Sequence, residues 1–394
     1  MSEELELWQE GEMGESAFAH YRFYIRQRPV MLAVLSLITI FFFLAVTGLS
    51  RVYSAQRESL ANRWFTRGVA DLSAQHYDAA VTEFRTALLY SRDNYSYQLN
   101  LAEALIGMRH TGEASAYLLN LWDREPENGL VNLELARIAV QHGQNDQAIR
   151  YYHDAVYSAW PPDQEAKRRQ ARLELIELLL RTHATPQAQA ELIALSENIG
   201  EDPAEQEQLG SLFLRAQDYD RALAAFRISL RSDHRNSAAL AGAGYAAFEL
   251  GHYPEAEHYL EAALAQNPQD QQSIDRLATT ELVLHMDPFQ RGLSAANRDR
   301  MVIDAFATAG LRLRTCAIPK TAAPGPSGAQ PGLSDQWAAL KPHITPAGLR
   351  RNPDDADAAM DLVFRIERQI NVLCGSPTGK DLALTLISKS HEGS

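Results

Sequence analysis

The hydrophobic residues of the chain follow two patterns, one continuous and one periodic. The continuous pattern runs from residue 29 to residue 50, carries no charged side chain and is bounded by Arg28 and Arg51. At the rise of an α-helix, a segment of this length covers the hydrocarbon core of a bilayer, which is about 30 Å thick. We therefore expect one transmembrane helix over residues 29–50, preceded by a short N-terminal tail, residues 1–28.

A cleaved signal peptide is the alternative interpretation of this run. The run is longer than the apolar core of a typical signal peptide, and the small-residue site after it places Tyr53 where a small residue is required. An uncleaved single-pass anchor is therefore favoured. Because no glycine or proline lies between Arg51 and Phe65, the helix is expected to continue through a juxtamembrane segment, residues 51–60, into the part that follows.

From residue 61 onward, the apolar residues recur with a period of 34 residues. Glycine or alanine recurs at positions 8, 20 and 27 of the unit, and larger residues recur at positions 4, 7, 11 and 24, as expected when two helices pack against each other and against the next pair. Six units fit this period, with one interruption at 163–168: 61–94, 95–128, 129–162, 169–202, 203–236 and 237–270. A further first helix is expected over 271–286.

These units resemble the tetratricopeptide repeat (TPR) family. The first unit matches through Trp64, Gly68, Tyr77, Ala80, Phe84 and Ala87. Across the six units, the departures from the pattern are Arg67, Asp71, Ile176 and Ser229. The resemblance covers residues 61–286 and implies an all-α fold, a TPR helical-hairpin solenoid of about six repeats plus capping helices. It also implies a concave groove that binds peptides, helices or other proteins.

In this family, the groove is lined mainly by positions 2, 5, 9 and 12 of each first helix. Positions 5 and 9 of the first four units give the candidate partner-binding residues Phe65, Val69, Leu99, Glu103, Leu133, Arg137, Leu173 and Glu177. Their apolar members would hold an apolar helix or extended segment, and their charged members would set its register. The alternative is that the position 5 residues pack helix against helix. The lysine and asparagine set that binds a terminal carboxylate in some family members is absent.

The tail beyond the repeats divides into three segments. Residues 287–317 are expected to form a helical extension, 318–334 a linker rich in proline and glycine, and 335–394 an amphipathic helical region that needs a surface to cover. The two cysteines, Cys316 and Cys374, lie at the ends of two predicted helices on opposite sides of the linker. In an oxidising compartment they would form a disulfide that fastens the tail to the end of the repeats.

The sequence gives no sign of enzyme chemistry. The stretch Gly375–Asp381 is one residue short of a phosphate-binding loop and has aspartate where serine or threonine would bind magnesium. The 12 histidines form no metal-binding motif, and a net charge of −13 without a basic stripe argues against nucleic acid. We therefore expect no catalytic residues, no cofactor, no metal and no small-molecule substrate.

The location of the soluble part is the least determined property. Arginines flank the apolar run equally on both sides, so the positive-inside rule does not decide. The excess of arginine over lysine favours a bacterial protein, with the N-terminus in the cytoplasm and the repeats in the periplasm; a cytoplasmic soluble part is the alternative. The function expected is an interaction scaffold or assembly factor of an envelope complex. The alternative is a constitutive accessory subunit of a membrane enzyme complex.

Overall fold

The computed structural model describes residues 9–158, 160–316 and 332–392, which form helices and no β-strand. The chain divides into two compact units, residues 1–171 and 172–394. The first unit contains α1 (Gln9–Ser73), α2 (Tyr77–Tyr90), α3 (Tyr95–Gly107), α4 (Thr111–Arg124), α5 (Gly129–Gln141), α6 (Asn145–Tyr157) and a 3-10 turn (Pro162–Gln164). The helix α7 (Glu165–Arg181) crosses the boundary between the units.

The second unit contains a set of repeat helices followed by a set of tail helices. The repeat helices are α8 (Thr185–Ser196), α9 (Pro203–Arg215), α10 (Tyr219–Ser232), α11 (Ser237–Glu249), α12 (Tyr253–Gln266) and α13 (Gln271–Met286). The tail helices, which we call the cap, are α14 (Ala295–Thr315), α15 (Leu333–Leu340), α16 (Pro346–Arg351), α17 (Asp354–Cys374) and α18 (Gly379–Glu392). The all-α fold class, with a repeat arrangement after a long apolar helix, is confirmed.

The helices follow the 34-residue period of the sequence. The second helix begins at position 17 of every unit, and position 34 supplies the N-cap of the next first helix in five of the six units. These caps are Asn94, Asn128, Asp202, Asn236 and Asp270, and each side chain accepts hydrogen bonds from backbone N–H groups of the first helical turn. The period therefore fixes both ends of each hairpin.

Position 15 of every unit adopts a left-handed backbone conformation between the two helices of the hairpin. Glycine occupies this position at Gly143 and Gly251, and the other four units place Gln75, Arg109, His183 and Gln217 there, with φ between 58° and 63°. Non-glycine residues are strained in this region because Cβ approaches the following carbonyl oxygen. The turn geometry thus recurs in all six units, although its preferred residue does not.

Small residues at position 8 let the two helices of a hairpin approach each other. A Cβ atom built on Gly68 would lie 2.6 Å from a ring carbon of Phe84, and one on Gly210 would lie 2.8 Å from the ring of Phe226. Both phenylalanines are fully buried. The departure at Ile176 is accommodated, since this side chain is itself fully buried in the core of the second unit.

The cap packs on the last repeat helices of the second unit. Its core joins Tyr253, Val283 and Met286 of the repeats to buried residues of α14, α16, α17 and α18, such as Phe306 and Val363. The amphipathic tail helix predicted from the sequence lies within α17, which packs on α14. Residues 379–392, whose sequence left strand and helix open, form the helix α18.

Most of the linker expected over residues 318–334 lies outside the described part of the chain, and its last two residues belong to α15, which begins at Leu333. Leu333 and Trp337 pack against the cap core, which extends the helical structure toward the proline-rich stretch. Contacts of Leu333 and Trp337 with the cap core thus accompany the start of α15.

The apolar N-terminal segment belongs to a helix much longer than the one predicted. The helix α1 runs without interruption from Gln9 to Ser73, so residues 9–28 of the expected N-terminal tail are helical. Within the described residues, one segment is long and apolar enough to cross a bilayer, Met31–Ser73, with mean hydropathy 2.5 in its most apolar window and none of that window buried. The predicted continuity of the apolar run with the first repeat helix is observed.

Candidate partner-binding groove

The predicted groove residues of the first unit differ widely in exposure. Val69 is 39% exposed and Glu103 is exposed, whereas Phe65 and Leu99 are half-buried against the surrounding core. Leu133 is only 1% exposed and therefore acts as a packing residue. The alternative of helix-to-helix packing thus describes Leu133, while Val69 and Glu103 remain accessible to a partner.

The half-buried aromatic ring of Phe65 is held by its neighbours. Its centroid lies 4.7 Å from that of Tyr97 and 5.7 Å from that of Phe84. The Tyr97 hydroxyl donates a hydrogen bond of 2.6 Å to the side-chain oxygen of Asn62. Phe65 therefore contributes an immobile apolar surface to the first hairpin.

Two of the three predicted charged residues, Arg137 and Glu177, form ion pairs with other residues of the chain. In the first unit, Arg137 donates to Glu134 at 2.7 Å, within the same helix. In the second unit, both terminal nitrogens of Arg215 donate to the carboxylate of Glu177 at 2.7 Å. The hydrogen bonds from Arg215 lower the pKa of Glu177, and the same contact raises the pKa of Arg215. This pair therefore stays charged across the physiological pH range.

Leu173 and Glu177 both lie on α7, in the second unit, with different surroundings. Leu173 is half-buried and packs against the core of this unit, whereas Glu177 is exposed apart from its contact with Arg215. Glu177 thus orients Arg215, a residue that sequence reasoning did not select. The structure places this arginine at the edge of a pocket.

The pocket has a volume of about 430 Å³ and lies between α9, α10 and α11 of the second unit. We call it the groove pocket, and its lining residues are Ser211, Leu214, Arg215, Gln217, Tyr219, Phe226, Ala238, Gly242 and Tyr245. Ser211 and Tyr245 occupy position 9 of the last two units, the same position as Val69 and Glu103. Position 9 of the repeats therefore lines an accessible surface in the first compact unit and also in the second, each compact unit considered by itself.

Glycines on two first helices contact the ring of Phe226, one of the residues around the groove pocket. A Cβ atom on Gly242 would lie 2.3 Å from a ring carbon of Phe226, and a Cβ on Gly210 would meet the other side of the same ring. The ring therefore fills the space between two first helices and forms the floor of the pocket. Its own burial is complete.

Aromatic and cationic groups form one wall of the groove pocket. The rings of Tyr219 and Tyr245 lie 6.2 Å apart, and the guanidinium of Arg276 lies 3.7 Å from the centroid of Tyr245. Burial raises the pKa of Tyr219, with smaller contributions from Glu249 and Tyr245, so its hydroxyl stays protonated. The lining thus offers hydroxyl groups, aromatic rings and the guanidinium of Arg215, which suits a polypeptide side chain with an apolar body and a polar or acidic end.

The sequence contains the residues that form this pocket, but the predicted groove residues do not include them. Sequence reasoning selected the four units with apolar residues at position 5, and the last two units carry Glu207 and Ala241 there. The pocket depends instead on Tyr245 and Ser211 at position 9 and on the absence of a side chain at Gly242. A search for small residues beside aromatic residues on the first helices would have found it.

The two cysteines meet at the C-terminal ends of α14 and α17. Cys316 and Cys374 are linked by their sulfur atoms, and their Cα atoms are 6.2 Å apart, within the range of disulfides. One turn earlier on α14, Arg312 contacts the fully buried carboxylate of Glu367 and lies 3.7 Å from Asp381. Burial raises the pKa of Glu367 to about 7, against the opposing effect of Arg312.

Comparison with solved structures finds helical-repeat proteins. YrrB, described as a TPR protein with an unusual peptide-binding site, is 16% identical, with a TM-score of 0.41 over 48% of this chain and 95% of its own. PilF of Pseudomonas aeruginosa is 13% identical, with a TM-score of 0.41 over 56% of this chain and 97% of its own. The C-terminal part of a TPR repeat-containing protein from Cytophaga hutchinsonii is 12% identical, with a TM-score of 0.43 over 79% and 100%.

The comparison with curated proteins finds no match. Among the described residues, no group of three or more histidine, cysteine, aspartate or glutamate side chains is placed to hold a metal ion. The family model described as Tetratricopeptide repeat matches residues 133–196 and 208–271, which lie on α5–α8 and on α9–α13. These matches coincide with hairpins that the 34-residue period delimits, so residues 133–196 and 208–271 form tetratricopeptide repeats.

Proposed function

We propose that this chain is a membrane-anchored scaffold that binds a protein partner through the grooves of its TPR hairpins, in a bacterial envelope complex. The observation that carries the proposal is the continuity of α1, in which an exposed apolar segment of membrane-spanning length runs directly into the first repeat. A helix without glycine or proline at this junction holds the first repeat at a fixed orientation to the bilayer. A partner in or near the membrane is favoured for this reason.

The groove pocket is the proposed contact for that partner in the second unit. It combines the rigid pair Glu177–Arg215 with the aromatic faces of Tyr219 and Tyr245. Aromatic residues and arginines are enriched among the side chains that contribute most to protein–protein affinity. In the first unit, Val69 and Glu103 are the accessible residues proposed for the same role.

The orientation proposed is a cytoplasmic N-terminus with the repeats on the opposite side of the inner membrane. The link between Cys316 and Cys374 supports this, because structural disulfides persist in oxidising compartments. Reporter fusions placed after Gly332 test the orientation. A reporter that functions in the cytoplasm alone would refute this part of the proposal.

Two matched charge reversals test the role of the groove pocket. Arg215→Glu breaks the pair with Glu177 at the pocket. Arg227→Glu replaces an arginine of matching exposure and breaks the pair with Glu255, neither residue of which lines the pocket. Exposed ion pairs contribute about 0–1 kcal/mol each, so both variants should fold. We expect Arg215→Glu to lower the recovery of the partner from membranes in mild detergent, and Arg227→Glu to leave it unchanged.

The same purification distinguishes a scaffold from a permanent subunit. An assembly factor is recovered below one copy per complex, whereas a constitutive accessory subunit of a membrane enzyme is recovered in fixed stoichiometry. If the wild-type chain and Arg215→Glu recover the same partner proteins in equal yield, the groove pocket is not the binding site.

A further inference from the structure

The C-terminal end of α2 lies beside α1 just past the apolar segment. Arg57 Nη2 donates a hydrogen bond of 2.7 Å to the carbonyl oxygen of Tyr90, the last residue of α2. Farther along the hairpin, Gly68 faces Phe84, so the two helices run antiparallel. The end of α2 and the turn that follows it, residues 91–94, therefore point back along α1 toward the apolar segment.

Leu89 is exposed at this end of α2 without any packing that explains it. It is 78% exposed, one residue before the carbonyl that Arg57 binds, whereas the other face of α2 buries Val81, Phe84 and Ala87. Tyr53 on α1 is also 63% exposed and lies beneath the guanidinium of Arg57 at 5.9 Å. Two large side chains are thus exposed near this end of the hairpin.

Positive charge surrounds these two side chains. Arg51 and Arg92 are exposed, and Arg57 has donor groups beyond the one that binds Tyr90. The nearby carboxylates along the chain are those of Glu58 and Asp93, so these two stretches carry three arginines and two acidic residues. We call Arg51, Tyr53, Arg57, Leu89 and Arg92 the headgroup face.

The height of the headgroup face above the apolar segment follows from helix geometry. At 1.5 Å per residue, Tyr53 lies about 4 to 5 Å beyond Ser50 and Arg57 about 10 Å beyond it. The polar headgroup layer on each side of a bilayer is roughly 5 to 7 Å thick. Tyr53 therefore falls inside this layer, and Arg57, with the end of α2 that it binds, lies just beyond its outer boundary.

We propose that the headgroup face is a second membrane contact, in which Tyr53 lies in the interface of the bilayer that α1 crosses, the arginines bind anionic phospholipid headgroups and Leu89 packs against the outer edge of those headgroups. Tyrosine at the interface and arginine beside anionic lipid are both favoured at this depth. This contact would fix the rotation of the first repeat about α1, which the spanning helix alone leaves open. The proposal rests on the proposed function, because it requires α1 to span the membrane.

Photocrosslinking to lipid in nanodiscs tests this contact with the full chain. A diazirine residue replaces Leu89, Ala74 or Phe42, each in a separate variant, in nanodiscs of phosphatidylcholine with or without phosphatidylglycerol. Ala74 is exposed at the other end of the same hairpin, and Phe42 lies in the apolar segment. Intact-mass measurement then counts the lipid adducts and identifies their headgroups.

We expect lipid adducts from positions 42 and 89 and none from position 74. Phosphatidylglycerol should be over-represented among the adducts from position 89, and this preference should be lost in 1 M salt or with Arg51→Gln and Arg92→Gln together. If position 42 gives lipid adducts but position 89 gives no more of them than position 74, the headgroup contact is refuted and the anchor stands. Absence of adducts from position 42 would instead refute the anchor, and with it the proposed function.

Discussion

The repeat helices α8–α13 and the cap α14–α18 of the second unit are stabilised by contacts of different sequence range. In the repeats, the pair Arg227–Glu255 joins residues 28 apart, about one period. In the cap, Arg312 and Glu367 are 55 residues apart and Cys316 and Cys374 are 58 apart. The repeats therefore depend on many similar neighbour contacts, whereas the cap depends on a few unique long-range ones.

The two regions also differ in how aromatic residues are placed. In the repeats, Phe84 and Phe226 both fill the space left by glycine at position 8 of the same hairpin. In the cap, Trp337 stacks on Phe306 with ring centroids 5.4 Å apart and its Nε1 donates to the carbonyl oxygen of Phe306. The first arrangement recurs at the same position of two repeats, and the second joins α14 to α15 in the cap. Damage to the cap should therefore have more concentrated effects.

The largest effect is expected from removing the cap helices α15–α18. Deleting residues 332–394 exposes Met286, Val302 and Phe306, which the intact cap buries to 3% exposure or less. A repeat array without a terminal polar face is insoluble or unstable. We expect a lower melting temperature of the repeats and strong binding of an apolar dye. An unchanged melting temperature would show that the cap is an independent module.

The next largest effect is expected from the cysteine link. Replacing Cys316 and Cys374 together by serine opens a loop with a sequence separation of 58 residues, and the chain-entropy contribution of such a loop is about 4 kcal/mol. Hydrogen exchange should show faster opening of α14 and α17, with little change in α9 and α10. Equal exchange in oxidised and reduced protein would contradict a stabilising disulfide.

A smaller effect is expected from position 15 of the repeats. Gly143→Ala places a Cβ in a left-handed turn with no atom within 4 Å of it, so its cost of about 1 kcal/mol comes from the backbone. The reverse change, Gln217→Gly, removes the same strain at φ 59° in another unit. Urea unfolding should show opposite signs for the two variants. Equal signs would show that side-chain contacts, rather than the shared turn, set these stabilities.

A further effect is expected from the pH dependence of the cap, through the single carboxylate of Glu367. Burial raises the pKa of Glu367 from 4.5 to about 7, so the folded state holds a proton that the unfolded state loses. The contribution of Glu367 to stability is therefore fully present below about pH 4.5 and is lost as the pH rises toward 7. Glu367→Gln should remove this part of the slope in a series of unfolding experiments. A variant with the wild-type slope would contradict the assignment.

The repeats could be predicted from the sequence because their determinants lie within one period. Asn94 or Asp202 at position 34 and Gly68 or Gly210 at position 8 act on neighbours less than a repeat away. The contact between Arg312 and Glu367 could not be predicted, since neither residue belongs to a pattern and the pairing depends on how α17 packs. Among the sequence features, only the two cysteines indicated that the C-terminal ends of α14 and α17 lie close together.

The candidate groove was predicted in part for a similar reason. Position 9 was recognised, but the exposure of Val69 and the burial of Leu133 depend on neighbouring helices that no single unit encodes. The groove pocket is lined by residues of two consecutive repeats, Phe226 from one and Gly242 and Tyr245 from the next. Local patterns therefore located the surface, and packing between repeats determined where it is open.

Site-specific photocrosslinking in cells tests the central claim, that the groove pocket binds a protein partner of the anchored chain. A photoreactive residue replaces either Tyr245, in the pocket, or Tyr259, a half-buried tyrosine of α12 outside it. The account predicts a discrete protein adduct from position 245 in the membrane fraction and no such adduct from position 259. The absence of an adduct from position 245, or the same adducts from both positions, would contradict it.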